Sequence, residues 1–236
     1  MKDIKGVLLD YGGTIDTNGI HWGEVLWQAY VDNSVPIEKS AFRDAYSYGE
    51  RALGTRPLVN PSDNFLDVLR IKTKEQFDYL QQQELVSSSF VTSELVDKMA
   101  MQSFEFAKQA VNNAKETLAY LSDKYPLVLV SNFYGNINTI LKDFDIDKYF
   151  KSVVESAVVG VRKPDAAIFS LGVKALNMPA ENTVVIGDSY SKDIAPGKQA
   201  GCKTVWLNKA GWGDDPTDVS GADAVIDDFK ALQTIL

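Results

Sequence analysis

Val7-Leu8-Leu9-Asp10-Tyr11-Gly12-Gly13-Thr14 is the stretch on which the reading of this chain turns. A short aliphatic run ends on a carboxylate, and two glycines follow at which the backbone can bend. The pattern predicts a buried strand, Gly6–Asp10, with Asp10 at its carboxyl end. Similar short runs recur at Leu127–Ser131, Ser152–Val154, Thr183–Gly187, Thr204–Leu207 and Ala224–Ile226. Helix-length segments separate them, which predicts an α/β fold: a parallel sheet with crossover helices on both faces. Asp10, Ser131 and Asp188 each fall at or just past the end of a run. Ligands of such sheets sit at the carboxyl ends of the strands, so these polar residues are expected to converge.

Residues 18–110 have a different texture. Trp22, Val25, Leu26 and Ala29 follow helical spacing, as do Phe42, Ala45 and Tyr46. Phe65, Val68 and Leu69 open a third helix, with Ser62 or Asp63 as the expected N-cap, and Leu95, Met99, Phe106 and Ala110 fit a fourth. Pro57 and Pro61 punctuate the middle, and Thr17-Asn18-Gly19 carries an Asn-Gly turn signal at the entrance. The expected organisation is an α/β core of residues 1–17 and 111–236, interrupted by a helical insertion of residues 18–110.

Composition narrows the setting. The chain has 236 residues, 45% of them hydrophobic, enough for a sizeable core. Its formal charge of −8 argues against a nucleic-acid backbone or an anionic membrane surface as partner. One cysteine, Cys202, excludes an intrachain disulfide, and the start lacks the apolar run of a signal peptide, so a cytoplasmic setting is expected. No run is long and apolar enough for a membrane span.

Four segments in order carry a resemblance: Asp10-Tyr11-Gly12-Gly13-Thr14, Ser131-Asn132, Lys163-Pro164, and Gly187-Asp188-Ser189 with Asp193. Together they resemble the haloacid dehalogenase (HAD) superfamily of hydrolases, which implies a Rossmann-like core with a helical cap inserted between the first two motifs. The resemblance implies that Asp10 is a nucleophile and that Lys163 offsets negative charge in the transition state. It implies phosphate contacts from the Ser131 hydroxyl, the backbone amide of Asn132, and Thr14. It further implies Mg2+ held by Asp10, the Gly12 carbonyl, Asp188 and Asp193, since this ion takes oxygen ligands. The chain departs from the family's phosphatases at Gly12, where they carry a second aspartate as general acid and base. His21, the only histidine, stands at the entrance of the insertion and is a candidate replacement. Trp22, Trp27, Tyr30, Phe42 and Tyr46 are expected to build the insertion's core.

The expected function is a Mg2+-dependent hydrolase acting on a small phosphorylated metabolite through an aspartyl-phosphate. Two alternatives follow from Gly12. One is phosphonatase-like carbon–phosphorus cleavage, with a Schiff base on an insertion lysine: Lys39, Lys72, Lys74 or Lys98. The other is a phosphate- or metal-binding protein without turnover. Dehalogenation, which needs no metal, accords poorly with the retained acidic segment around Asp188. No motif reads out the substrate.

Overall fold

The computed structural model describes residues 1, 3–209, 212 and 221–236. Strands β1 (Gly6–Leu9), β2 (Leu127–Ser131), β3 (Phe150–Glu155), β4 (Thr183–Gly187), β5 (Lys203–Leu207) and β6 (Ala224–Ile226) form one parallel sheet, ordered β3-β2-β1-β4-β5-β6. All six expected strands are present. β3 is longer than Ser152–Val154, and Asp10 lies one residue beyond β1.

Every residue of β1, β2 and β4 is buried, so these strands read as continuous apolar runs rather than alternating ones. The period of two still sorts their side chains. Leu8, Val128, Val130 and Val185 join Ile168, Phe169 and Leu176 of the helix Ala167–Leu176 on one face. Val7, Leu9, Leu127, Leu129, Val184 and Ile186 join the larger core on the other. Full burial of each such side chain is worth roughly 1.5–3 kcal/mol.

Helices α1 (Trp22–Asp32), α2 (Lys39–Thr55), α3 (Phe65–Gln82) and α4 (Ser93–Lys124) lie between β1 and β2 in sequence. Asn18 and Gly19 have φ of 55° and 83°, the positive pair that an Asn-Gly turn adopts. The N-cap of α3 is Asn64, not Ser62 or Asp63. Asn64 and Asp67 form a reciprocal capping box at 3.0 and 3.1 Å. Asp63 is occupied one turn earlier, accepting from Asn60 N at 2.7 Å.

The fourth helix does not end near Ala110. α4 runs 32 residues, because its buried face continues unbroken through Ala107, Val111, Ala114, Leu118 and Leu121 and no glycine or proline interrupts it. The division between residues 110 and 111 therefore falls inside a helix. Among the described residues no helix is long and apolar enough to cross a membrane.

Candidate active site

β1 pairs with β2 on one side and β4 on the other, so the ends of these strands lie side by side. Ser131 Oγ donates to Asp10 Oδ1 at 3.1 Å. Lys163 Nζ donates to Asp10 Oδ1 and to Asp193 Oδ1, both at 2.6 Å. Thr14 Oγ1 donates to Asp188 Oδ1 at 3.0 Å, and Ser189 N donates to Asp193 Oδ2 at 3.1 Å. One carboxylate oxygen from each of Asp10, Asp188 and Asp193 lies within 4.8 Å of the others.

Lys163 arrives from a loop, and Asn132 holds that loop. The Asn132 amide accepts from Lys163 N at 2.9 Å and donates to Lys163 O at 3.0 Å. Its side chain thus places the lysine. Thr14 is fully buried, and its hydroxyl spans the carboxylates of Asp188 and Asp10.

Three acids share one ammonium group here, and the electrostatics follow. Burial first, then Asp10 and Asp193, push the Asp188 carboxyl well above the ordinary carboxylate range. Burial raises Asp193 to about 6 against the pull of Lys163. Burial works against charge on Lys163, but Asp10 and Asp193 outweigh it and hold its pKa above the ordinary lysine value. The surplus negative charge among hard oxygen donors fits a divalent cation such as Mg2+.

The neighbouring glycines have distinct reasons. A Cβ at Gly13, where φ is +92°, would overlap the Asp188 carboxylate, and one at Gly187 would overlap Asp193. Both glycines let a carboxylate approach the backbone. Gly12 has neither constraint: its φ is not left-handed, and among the described residues nothing lies within 4 Å of a Cβ built there. The missing side chain leaves open space in the site.

These groups floor a cavity of about 560 Å³ whose opposite wall comes from the insertion, including Tyr46, Glu50 and Lys72. Trp22 and Tyr46, expected to be core, border this cavity as well. Glu50, Tyr134 and Asp16 escaped the sequence reading, which named Lys72 only as one of four insertion lysines. No spacing rule links residues on different helices, but Asp16 stands in the same turn as Asp10 and was within reach. Asp16 accepts from Gly13 N at 2.7 Å and Trp22 Nε1 at 2.9 Å, and burial raises its pKa to about 8.

His21 lines the cavity too, with one ring nitrogen committed to the fold. Its Nδ1 caps α1 by accepting from Gly23 N at 3.0 Å, so Nε2 carries the proton. The ring lies 5.0 Å from Trp212 and 5.6 Å from Tyr46. Burial, then Lys192, lower its pKa from 6.5 to about 4. Between those values the unfolded chain binds the proton more tightly, so stability falls as pH drops from 6.5 towards 4. The loss is at most about 3 kcal/mol. His21→Asn keeps a capping oxygen and is expected to flatten this dependence. Thermal melts at pH 7 and pH 4.5 check it: an equal fall in Tm for both proteins contradicts the assignment.

The fold and this site define a class of hydrolase, and comparison with known proteins agrees. A model of haloacid dehalogenase-like hydrolases matches residues 53–207, and the chain belongs to that family. A glyceraldehyde 3-phosphate phosphatase of Pyrococcus furiosus is 33% identical over 93 residues, 39% of this chain and 39% of that protein. In three archaeal proteins of that description the match spans 26%, 39% and 40% of their length. The pyrimidine 5'-nucleotidase PynA of Streptococcus pneumoniae is 28% identical over 184 residues, 77% of this chain and 69% of that one. A dehalogenase crystal structure is similar with a TM-score of 0.69 at 15% identity, covering 100% of this chain and 98% of that one. The Bacillus subtilis HAD-hydrolase YfnB, in a magnesium-bound form, has a TM-score of 0.62 at 21% identity, covering 99% and 98%. At these identities the structural likeness shows the fold alone.

Proposed function

We propose that this chain is a Mg2+-dependent phosphatase of a small phosphorylated metabolite, working through an aspartyl-phosphate. The observation that carries the reading is the Asp10 carboxylate. Its Oδ1 is held by Ser131 and Lys163, while its Oδ2 has only a 3.5 Å contact with Thr14. One oxygen is anchored and the other is left for chemistry.

In the first step an Asp10 oxygen bonds to phosphorus as the bond to the leaving oxygen breaks. Ser131 Oγ and the Asn132 N–H bind phosphoryl oxygens, and Lys163 neutralises their charge. In the second step water attacks phosphorus and frees Asp10. Asp10, Asp188 and the Gly12 carbonyl would hold Mg2+, with Asp193 supporting them from its bonds to Lys163 and Ser189. When bound, the ion offsets phosphoryl charge as a Lewis acid. No side chain of the Asp10–Thr14 turn supplies the proton that an alkoxide leaving group needs, so activated esters are the better substrates. Residues 18–110 serve as the cap that selects the substrate and excludes water, and α4 joins cap to core. A lone buried thiol, Cys202, accords with a cytosolic setting.

Lys72 is the insertion lysine that a phosphonatase mechanism would use, being buried on the cavity wall. A Schiff base needs a neutral amine, and Glu50 at 2.6 Å opposes that by helping to hold the Lys72 pKa above the ordinary value despite burial. The phosphatase reading is the better supported.

Hydrolysis of p-nitrophenyl phosphate with and without Mg2+ tests it. Metal-dependent turnover is expected, and Mg2+ is expected to raise Tm more at pH 8 than at pH 5. The sign follows from the carboxylates. Protons compete for Asp188 and Asp193 at pH 5, whereas at pH 8 their mutual repulsion is there to be relieved. No turnover of this ester under any metal condition would remove the phosphatase reading and favour a binding role.

A further inference from the structure

The cavity that Asp10 lines also carries a polar cluster that the proposed chemistry does not use. Lys72, on α3, is 7% exposed and has its Nζ 2.6 Å from Glu50 Oε1, on α2. The Tyr134 hydroxyl, from the loop after β2, donates to Glu50 Oε2 at 3.0 Å. Glu50 itself is half-buried, and Glu50, Lys72 and Tyr134 all line the cavity. A buried ion pair is a weak source of stability, because desolvation of the charges offsets their attraction. Placed on a cavity wall, such a pair is better explained by what it presents to a ligand.

The capacity of the pair can be counted. An ammonium group has three donors, and the ion pair with Glu50 is the one carboxylate contact of Lys72 among the described residues. A carboxylate has about four acceptor sites; Tyr134 takes one on Glu50 Oε2, and Oε1, which faces Lys72, accepts no hydrogen bond among the described residues. Donors and acceptors therefore remain, adjacent to one another. A carboxylate can accept from Lys72 but is repelled by Glu50, and an ammonium group meets the reverse. A zwitterion can satisfy both, but two more charges must then lose water. A hydroxyl donates and accepts from one atom and carries no charge to desolvate.

We propose that Glu50 and Lys72 form a specificity-determining pair that selects phosphate esters of neutral, hydroxyl-bearing alcohols, polyols or sugars, over carboxylated or amino-acid esters. The inference rests on the phosphatase reading above. Tyr134 is a positioning residue that orients Glu50.

Three esters of matched length test it: glycerol 3-phosphate, 3-phosphoglycerate and phosphoserine, with p-nitrophenyl phosphate as the check on chemistry. The expected result is a kcat/KM for glycerol 3-phosphate at least ~10-fold above either charged ester, since a site built to hydrogen-bond a hydroxyl discriminates strongly. In Glu50→Gln/Lys72→Met, which removes both charges and leaves no unpaired one, that ratio is expected to fall towards one, chiefly through KM. Tyr134→Phe gives a smaller fall and serves should the double variant not fold. A wild-type preference for either charged ester overturns the proposal. So does an unchanged ratio in a folded variant. Absence of p-nitrophenyl phosphate hydrolysis in the wild type is the distinct outcome in which the phosphatase reading fails and takes this inference with it.

Discussion

Gly12→Asp is expected to raise turnover of alkyl phosphate esters by ~10²–10⁴-fold, the usual worth of a positioned general acid and base. The position can take the side chain. Among the described residues nothing lies within 4 Å of a Cβ there, and the backbone is not left-handed, so neither overlap nor strain from them opposes the substitution. The new carboxylate would stand beside a cluster whose own pKa values are already driven upward by burial and by one another. The same field would raise its pKa and keep part of the population protonated near neutrality, the state needed to protonate an alkoxide. The gain should depend on the leaving group. Glycerol 3-phosphate needs the proton and should show the full effect. p-Nitrophenyl phosphate expels a stabilised anion and should gain less than ~10-fold, because little of its barrier is proton transfer. Equal gains for both esters would mean that the substitution acts on binding. No gain would mean that another group already supplies the proton or that the carboxylate is aimed wrongly.

Asp10→Asn is expected to lower turnover of every ester by ~10³-fold or more, the scale on which loss of a nucleophile is felt. The amide keeps the shape of the side chain, and its oxygen can still accept from Ser131 and Lys163, which now donate to Asp10 Oδ1. The charge is what disappears. Asp10 contributes to the raised pKa of both Asp188 and Asp193, so its neutralisation relieves them. Lys163 retains Asp193 as partner at 2.6 Å. The variant should therefore melt at or above the wild-type temperature in the absence of metal while losing its activity. Hydrolysis close to the wild-type rate excludes Asp10 as the nucleophile. A lowered Tm would assign Asp10 a structural role in holding Lys163.

The strands were legible because β1, β2 and β4 are buried on both faces, and full burial demands unbroken apolar runs. The polar residues at their ends were legible for a related reason. In Asp10, Ser131 and Asp188 hydrophilic side chains follow directly on runs that admit none. Helix ends were harder. Asn64 competes with Ser62 and Asp63 for one capping role, and which of them caps depends on how the preceding turn closes. The end of α4 was there to be read, because its apolar face runs on through Val111, Ala114, Leu118 and Leu121 with no glycine or proline.

What the sequence determined by itself is the parallel α/β architecture, the helical insertion and the four segments that meet at the strand ends. Each of these is written in local periodicity or in the order of short motifs. Tertiary structure alone decided the rest. It turned Thr14 and the Asn132 side chain inward to hold Asp188 and Lys163, and committed His21 Nδ1 to the start of α1. It also singled out Lys72 from the other insertion lysines by setting it against Glu50 and Tyr134. The physical reason is the same in each case. A hydrogen bond or ion pair between distant residues leaves no periodic trace in the chain, and its partners are chosen only when helices and strand ends pack together.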